Sequence, residues 1–369
     1  MADATRTAEV DRITTADLTE LGTASGPAVS IFLPTARGGA EVRENPIRAK
    51  ALIKEAEARL RANGVAQETA DEILAPLVAL LEDDMYWQQL ADGLALYACQ
   101  GLWRAYRVTT DFPEVVHVGE RFAVRPIVPA ALGDGGFLLL ALSQNKVRLF
   151  EATSATIRER ALGTIPASMD DADGESRPPA QHQQSFAAGG GGMVHSHGTG
   201  AEVGDVQLEK FLRQVADGLD REIGPTERRP LVLASVREYH SALRDHLSYA
   251  HLVDDVVAGN PDDSAPGALQ EAAWPVVEPV LRARAEDAAE RFGDAIGAGR
   301  SIAGGGTDLL HAAREGRVDT LLLTRGRCAA DRGPDDLDAA IGHALDTSAS
   351  VVVVDALPQD VSEGAVLRF

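Results

Sequence analysis

The sequence is poor in cysteine, in basic charge and in long apolar runs, and each shortage excludes something. Only Cys99 and Cys328 occur in 369 residues, far apart and in no CxxC or Cys/His spacing. That excludes a disulfide framework and a cysteine zinc site, and it makes a reducing cytoplasm the expected setting. No stretch approaches the roughly 18 consecutive apolar residues a membrane helix needs, so no membrane partner is expected. The opening Met1-Ala2-Asp3-Ala4-Thr5-Arg6 lacks the basic-then-apolar pattern of a secretory signal. Basic residues number 35 against 56 acidic ones, a net charge of −21. Such a chain is not built to coat duplex phosphate, and DNA is not an expected partner. The acid is spread along the sequence, yet a local basic group at Arg37, Arg43, Arg48, Lys50 and Lys54 stands against it.

What is present is ordinary globular material, 45% hydrophobic and 25% charged, enough for about two to three domains. Ala28 to Pro34 reads as a strand stopped by proline. Asn45-Pro46 places Asn at an N-cap and Pro at the first helical position of a helix reaching Asn63-Gly64. A second helix, Thr69 to Leu81, is crossed by Pro76. Strands are expected over Gly93–Ala98 and Leu102–Val108, with β character continuing through Val115–Val118 and Phe122–Val128. This gives an N-terminal α/β domain over 1–131.

Gly133-Asp134-Gly135-Gly136 is a linker signal. Phe137 to Leu142 is an almost unbroken apolar run, the mark of a strand buried on both faces. Val147–Ala152 and Thr156–Leu162 complete a three-stranded meander. Val206, Phe211, Leu212, Val215 and Leu219 make one stripe of a helix, and Pro230–Ser235 is a core strand followed by a helix over Glu238–Ser248. Asn260–Gly267 reads as a second linker. Beyond it, a helix over Glu278–Ile296 is expected, then helices over Thr307–Glu315 and Asp335–Thr347 alternating with strands Val318–Thr324 and Ser350–Asp355. That alternation implies a three-layer sandwich with a largely parallel sheet. The middle part spans 132–260 and the last 261–369.

The most unusual stretch is the glycine-rich loop at 186–200, with Gly189-Gly190-Gly191-Gly192-Met193 followed by His195 and His197. Four glycines in a row cost backbone entropy and pack nothing. They sit in a non-periodic segment from Gly163 to Gly200, and loops that long inside a domain are usually functional or disordered.

The order of parts resembles the bacterial branch of the class I release factor/Pelota superfamily, and most nearly its third bacterial subgroup. Phe137–Ala152 is similar to the hairpin that opens the family's ribonuclease-H-like middle domain. The glycine loop ahead of a long helix stands where release factors carry a Gly-Gly-Gln tip. Glu315-Gly316-Arg317-Val318-Asp319-Thr320-Leu321-Leu322-Leu323 and the terminal Ala365-Val366-Leu367-Arg368-Phe369 look like strands of the family's L7Ae-like domain. The resemblance implies an α/β chain of three domains, with an L7Ae-like α/β/α sandwich at the end and no cofactor. It also implies a ribosome-associated factor that meets ribosomal RNA and peptidyl-tRNA. Its work would be ribosome rescue, hibernation or peptidyl-tRNA hydrolysis.

The chain departs from the pattern at the tip. Gly189-Gly190 is followed by Gly191, and Gly191-Gly192 by Met193; Gln183 and Gln184 lie upstream, out of register. The ordinary ester hydrolysis is therefore in question, with His195 and His197 as replacements able to orient or activate water. The first domain has no Asn-Ile-Lys-Ser run, which argues against stop-codon reading. A non-catalytic interaction protein that keeps the fold is the alternative. A metal-dependent hydrolase is a further one, for which Glu151, Asp205 and Glu209 are the carboxylates to nominate. His182, His195 and His197 have no recognised four-ligand spacing, so no metal is expected. Gly304-Gly305-Gly306-Thr307-Asp308 has a superficial phosphate-cradle look but lacks the Gly-Lys-Ser/Thr ending, and a cap at Thr307 or Asp308 explains it. His240, His246 and His251 read as partly buried packing residues.

Overall fold

The computed structural model describes residues 10–133, 136–154, 156–174, 199–224 and 227–369, without the side chains of 40, 133, 173–174 and 199–205. It is an α/β chain with three separate sheets. In order, the first part contains α1 (Thr15–Thr23), β1 (Ala28–Pro34), α2 (Asn45–Ala62), α3 (Gln67–Leu80), the short α4 (Asp84–Trp87), β2 (Gly93–Cys99), β3 (Leu102–Val108) and β4 (Val115–Gly119). The middle part contains β5 (Phe137–Leu142), β6 (Val147–Ala152), β7 (Ile157–Arg160), α5 (Met169–Gly174), α6 (Thr199–Ile223), β8 (Leu231–Ser235), α7 (Glu238–His246) and β9 (Leu252–Ala258). Then follow α8 (Pro266–Gly297), β10 (Ser301–Ala303), α9 (Gly306–Arg314), β11 (Val318–Thr324), α10 (Asp336–Asp346), β12 (Ser350–Val354) and β13 (Glu363–Leu367). These pack as two compact units, one of residues 1–134 with 283–369 and one of residues 135–282.

In the first unit, one sheet has the order β3-β2-β1-β4 and is antiparallel throughout. Strand alternation gives β1 two buried faces: Val29, Ile31 and Leu33 meet α2 and α3, while Phe32 points into the core that holds α1. The second sheet has the order β10-β13-β11-β12. Only β11 and β12 run parallel; β13 is antiparallel to both β10 and β11, which corrects the largely parallel sheet expected. The returning C-terminal strand inserts between β10 and β11, and a crossover count from sequence does not reveal that.

Helices α1 and α10 cross where Gly22 meets Gly342. A Cβ on Gly22 would lie 2.6 Å from the Gly342 Cα, so neither position has room for a side chain. Beside them, Arg125 and Asp338 are each about 1% exposed. Asp338 accepts from the Val124 and Arg125 amides at 2.7 and 2.9 Å and from Arg125 Nε at 3.0 Å. Arg125 also donates to the Gly333 carbonyl at 2.8 Å. The Ala123 amide donates to Ser30 Oγ at 3.0 Å. These bonds explain why Phe122–Val128, expected to continue the β character, is no strand: its amides are taken by side chains, and Arg125–Ile127 turns as a 3-10 helix.

Two further corrections fall on helix starts. Asn45 does not cap α2; it is buried and exchanges hydrogen bonds with the Ala36 backbone, 3.1 and 3.0 Å, pinning the preceding loop. Helix α8 begins at Pro266, not Glu278, and runs through Pro275 and Pro279. An interior proline costs about 3 kcal/mol in an exposed helix. Here a buried face of Leu269, Ala273 and Val277 offsets it.

The second unit is a three-layer α/β/α arrangement around the order β7-β6-β5-β8-β9. The meander β5-β6-β7 is antiparallel, and β5-β8-β9 run parallel. Strand β9, unforeseen in the sequence, forms the far edge. Leu138, Leu140 and Leu142 face Phe211, Leu212, Val215 and Leu219 of α6. Phe137, Leu139 and Ala141 face Leu269, Ala273 and Val277 of α8. Both faces of β5 are covered, as its unbroken apolar run requires. Buried Arg148 donates to the Pro261 and Ser264 carbonyls at 2.6 and 3.1 Å, so the turn expected as a linker is tied to the sheet.

Candidate functional site

Gly189, Gly190, Gly191, Gly192, Met193, His195 and His197, with His182, lie outside the described residues. The structure instead shows the platform on which that loop is mounted, α5 at one end and α6 at the other.

Helix α6 forms because apolar residues recur at helical spacing over Leu208–Ile223. Phe211, Leu212, Val215, Ala216 and Leu219 are fully buried against the sheet. Val206, expected to begin the stripe, is 68% exposed; packing starts at Leu208. The C-terminal half of α6 is clamped to the turn after β7. The Glu222 carboxylate accepts from the Thr164 amide at 2.9 Å and from its hydroxyl at 3.0 Å. Those bonds hold its pKa below the usual carboxylate range. Arg160 donates to the Glu222 carbonyl at 2.6 Å. Gly163 has φ +58°, and a side chain there would strike the Glu222 carboxylate. One turn earlier in α6, Gly218 admits Ile165, whose Cα would lie 2.8 Å from a Cβ.

The other end is stapled to β6. The Val147 amide donates to the Ala167 carbonyl and the Met169 amide to the Gln144 carbonyl, both at 2.8 Å. Asp171 accepts from the Ala167 amide at 2.9 Å, and Ser168 Oγ from the Asp171 amide at 3.1 Å. Ile165 and Ala172 are buried under this turn. The turn that leads to α5 is thus fixed to the sheet, while α6 is held to it from Leu208 onward and clamped at its C-terminal end. Of these mounting residues, only Gly163 carried a sequence signal, as the start of the non-periodic segment.

Of the nominated carboxylates, the two whose side chains are described, Glu151 and Glu209, are each paired with arginine. Glu151 lies 3.2 Å from Arg229 and 3.8 Å from Arg160. Beside it, burial pushes the Glu227 carboxyl up. Bonds from the Arg229 side chain and from the Arg229 and Arg228 amides outweigh burial and hold it at about 2. Exposed Glu209 on α6 lies 3.8 Å from Arg213 and 3.9 Å from His246. The side chain of Asp205 is outside the described residues. Among the described residues, no three His, Cys, Asp or Glu groups converge as metal ligands. An arginine-bound Glu151 is neutralised where a metal site needs free negative charge.

His240 Nε2 lies 2.7 Å from the Val253 carbonyl and His251 stacks edge-on against Tyr249, both half-buried in packing. The glycine turn Gly304–Gly306 follows a short strand, β10. Its cap is Gly305 in the left-handed region, without a side-chain bond. Thr307 caps nothing and donates to Asp336 at 2.7 Å.

Residues 136–317 match the family described as bacterial archaeo-eukaryotic release factor family 3. No curated protein sequence matches the chain. Among solved structures, the archaeal translation termination factor aRF1 is similar at 16% identity over 97% of this chain and 99% of that one, with a TM-score of 0.26. A chain of ribosome-bound archaeal Pelota and ABCE1 is similar at 12% identity over 73% of each, TM-score 0.41. Dom34 of S. cerevisiae, a translation termination-like factor, is similar at 11% identity over 74% of each, TM-score 0.37. The family match takes in the five-stranded sheet, residues 186–200 and helix α6, so residues 136–317 of the chain are what is similar to bacterial archaeo-eukaryotic release factor family 3.

Proposed function

We propose that the chain is a cytoplasmic, ribosome-associated translation factor that presents residues 186–200 to the peptidyl-transferase region in rescue, hibernation or peptidyl-tRNA hydrolysis. The observation that carries this reading is the family match over 136–317, which spans residues 186–200 together with the helices α5 and α6 that flank them. A ribonuclease-H-like middle domain is supported by the β7-β6-β5-β8-β9 order, with its meander followed by parallel strands. The division into 1–131, 132–260 and 261–369 is supported by the fall of one sheet into each part.

In the hydrolytic version, the glycines bring backbone close to RNA and a neutral imidazole of His195 or His197 takes a proton from water. That water attacks the ester carbonyl of peptidyl-tRNA, the acyl–oxygen bond breaks, and the tRNA hydroxyl recovers a proton. Peptide release from ribosomes carrying peptidyl-tRNA tests it. His195→Ala and His197→Ala should lower single-turnover release, by about 10²–10⁴ for the residue that acts as base. No release by the unmodified chain would leave the second reading, a non-catalytic factor that occupies the ribosome. The absence of glutamine after either glycine pair favours that second reading.

A further inference from the structure

One feature singled out in the sequence has no place in the loop chemistry: the basic group near the start of a chain with net charge −21. The structure sorts the charges of α2 by face. Its sequence holds five basic and two acidic residues. Glu55 pairs with Arg59 at 2.5 Å, and the preceding Glu44 with Arg48 at 2.7 Å. Glu57 accepts from Gln67 at 3.0 Å. The acids are therefore engaged along the flanks of the helix.

What remains is a stripe at positions 47, 50, 51, 54, 58 and 61, each three or four residues from another of the set and all within one face of the helix. All six side chains are exposed, Ile47 at 68%. None is acidic. Lys50 and Lys54 have no ion-pair partner among the described residues, and neither does exposed Arg43, one turn before Ile47. Arg61 at the far end bonds only to neutral Gln67. Ala51 and Ala58 leave low ground between the cations. The stripe is about 21 Å long at 1.5 Å per residue.

We propose that this face of α2 docks on the phosphodiester backbone of RNA. Charge complementarity commits it to a polyanion: unpaired cations kept together on a strongly acidic molecule repel little else and attract phosphate. A line of cations without aromatic side chains suits contact with backbone phosphates, not stacking on bases. Identifying that RNA as ribosomal rests on the translation reading above; the docking itself does not.

The test uses the full chain beside Lys50→Ala/Lys54→Ala/Arg61→Ala and the charge-keeping Lys50→Arg/Lys54→Arg. Binding to ribosomes, to a naked ribosomal RNA transcript and to phosphatidylglycerol vesicles is measured across a salt series. The triple alanine variant should bind RNA about tenfold or more weakly at low salt, with a log–log salt slope shallower by about 2. The arginine variant should bind as the unmodified chain does. Alanine favours helix, so α2 should persist, and circular dichroism verifies that. Ribosome and RNA binding indifferent to the stripe would overturn this inference and leave the translation reading standing. Stripe-dependent binding to naked RNA without ribosome binding would do the reverse. Binding to neither, or to vesicles only, would overturn the docking surface.

Discussion

At the scale of single residues, the first unit depends on a buried charge pair. Asp338 pairs with Arg125, and their bonds tie Val124, Arg125 and Gly333 to α10. Removing Asp338 takes the acceptor from the Val124 and Arg125 amides and leaves buried Arg125 only the carboxylate of Asp335, 3.3 Å from its Nη1; breaking a buried pair costs about 3–5 kcal/mol. Asp338→Ala should therefore lower unfolding free energy by that order in a urea titration, and a change under 1 kcal/mol would contradict the pairing. Gly342→Ala should cost about 1–3 kcal/mol by overpacking against Gly22. Glu227 carries a pH signature in the second unit. Its pKa is about 2 in the folded chain against an ordinary 4.5, so the folded state binds the proton less readily. The stability it contributes is complete above about pH 4.5 and is lost as pH falls towards 2. Glu227→Gln should be less stable than the unmodified chain near pH 6, and the gap should close as pH falls. A gap that stays constant across that range would refute the assignment.

At the scale of elements, residues 175–198 lead directly into α6, and one clamp holds the C-terminal half of that helix. Glu222 and Thr164 stand 58 positions apart and hold α6 to the turn after β7. Glu222→Ala should increase amide exchange in 160–165 and the last turn of α6, leaving β5 and β8 protected; unchanged exchange would show that the clamp is dispensable. This clamp was illegible in the sequence, because one glutamate on an amphipathic helix carries no sign of its partner. The glycine and histidine run stands out by composition alone, and it lies outside the described residues. Strand β5 was legible for a similar local reason, its unbroken apolar run. Helix α8 was not: Pro275 and Pro279 signal a boundary locally, and only the burial of Leu269, Ala273 and Val277 overrides them. Phe122–Val128 misled in the opposite way. Its composition is that of a strand, but Ser30 and Asp338 take the amides a strand would have paired. The C-terminal β13 was expected as a strand, yet its insertion between β10 and β11 is a long-range choice that local spacing does not encode.

At the scale of the molecule, two compact units carry different tasks in this account. The unit of residues 135–282 carries α5 and α6, which flank residues 175–198 and are each bonded or packed to its sheet. The unit that joins 1–134 with 283–369 carries the cationic face of α2 in a chain of net charge −21. A factor with net charge −21 binds RNA only through such local concentrations, so its association should fall steeply with salt. The central claim is that the ribosome is the partner and the glycine-histidine loop a contact. Co-sedimentation of the purified chain with ribosomes over a salt series, beside a variant lacking residues 189–198, tests both halves. Binding that weakens with salt, and weakens further when the loop is removed, is the predicted result. No co-sedimentation at any salt concentration would contradict the account.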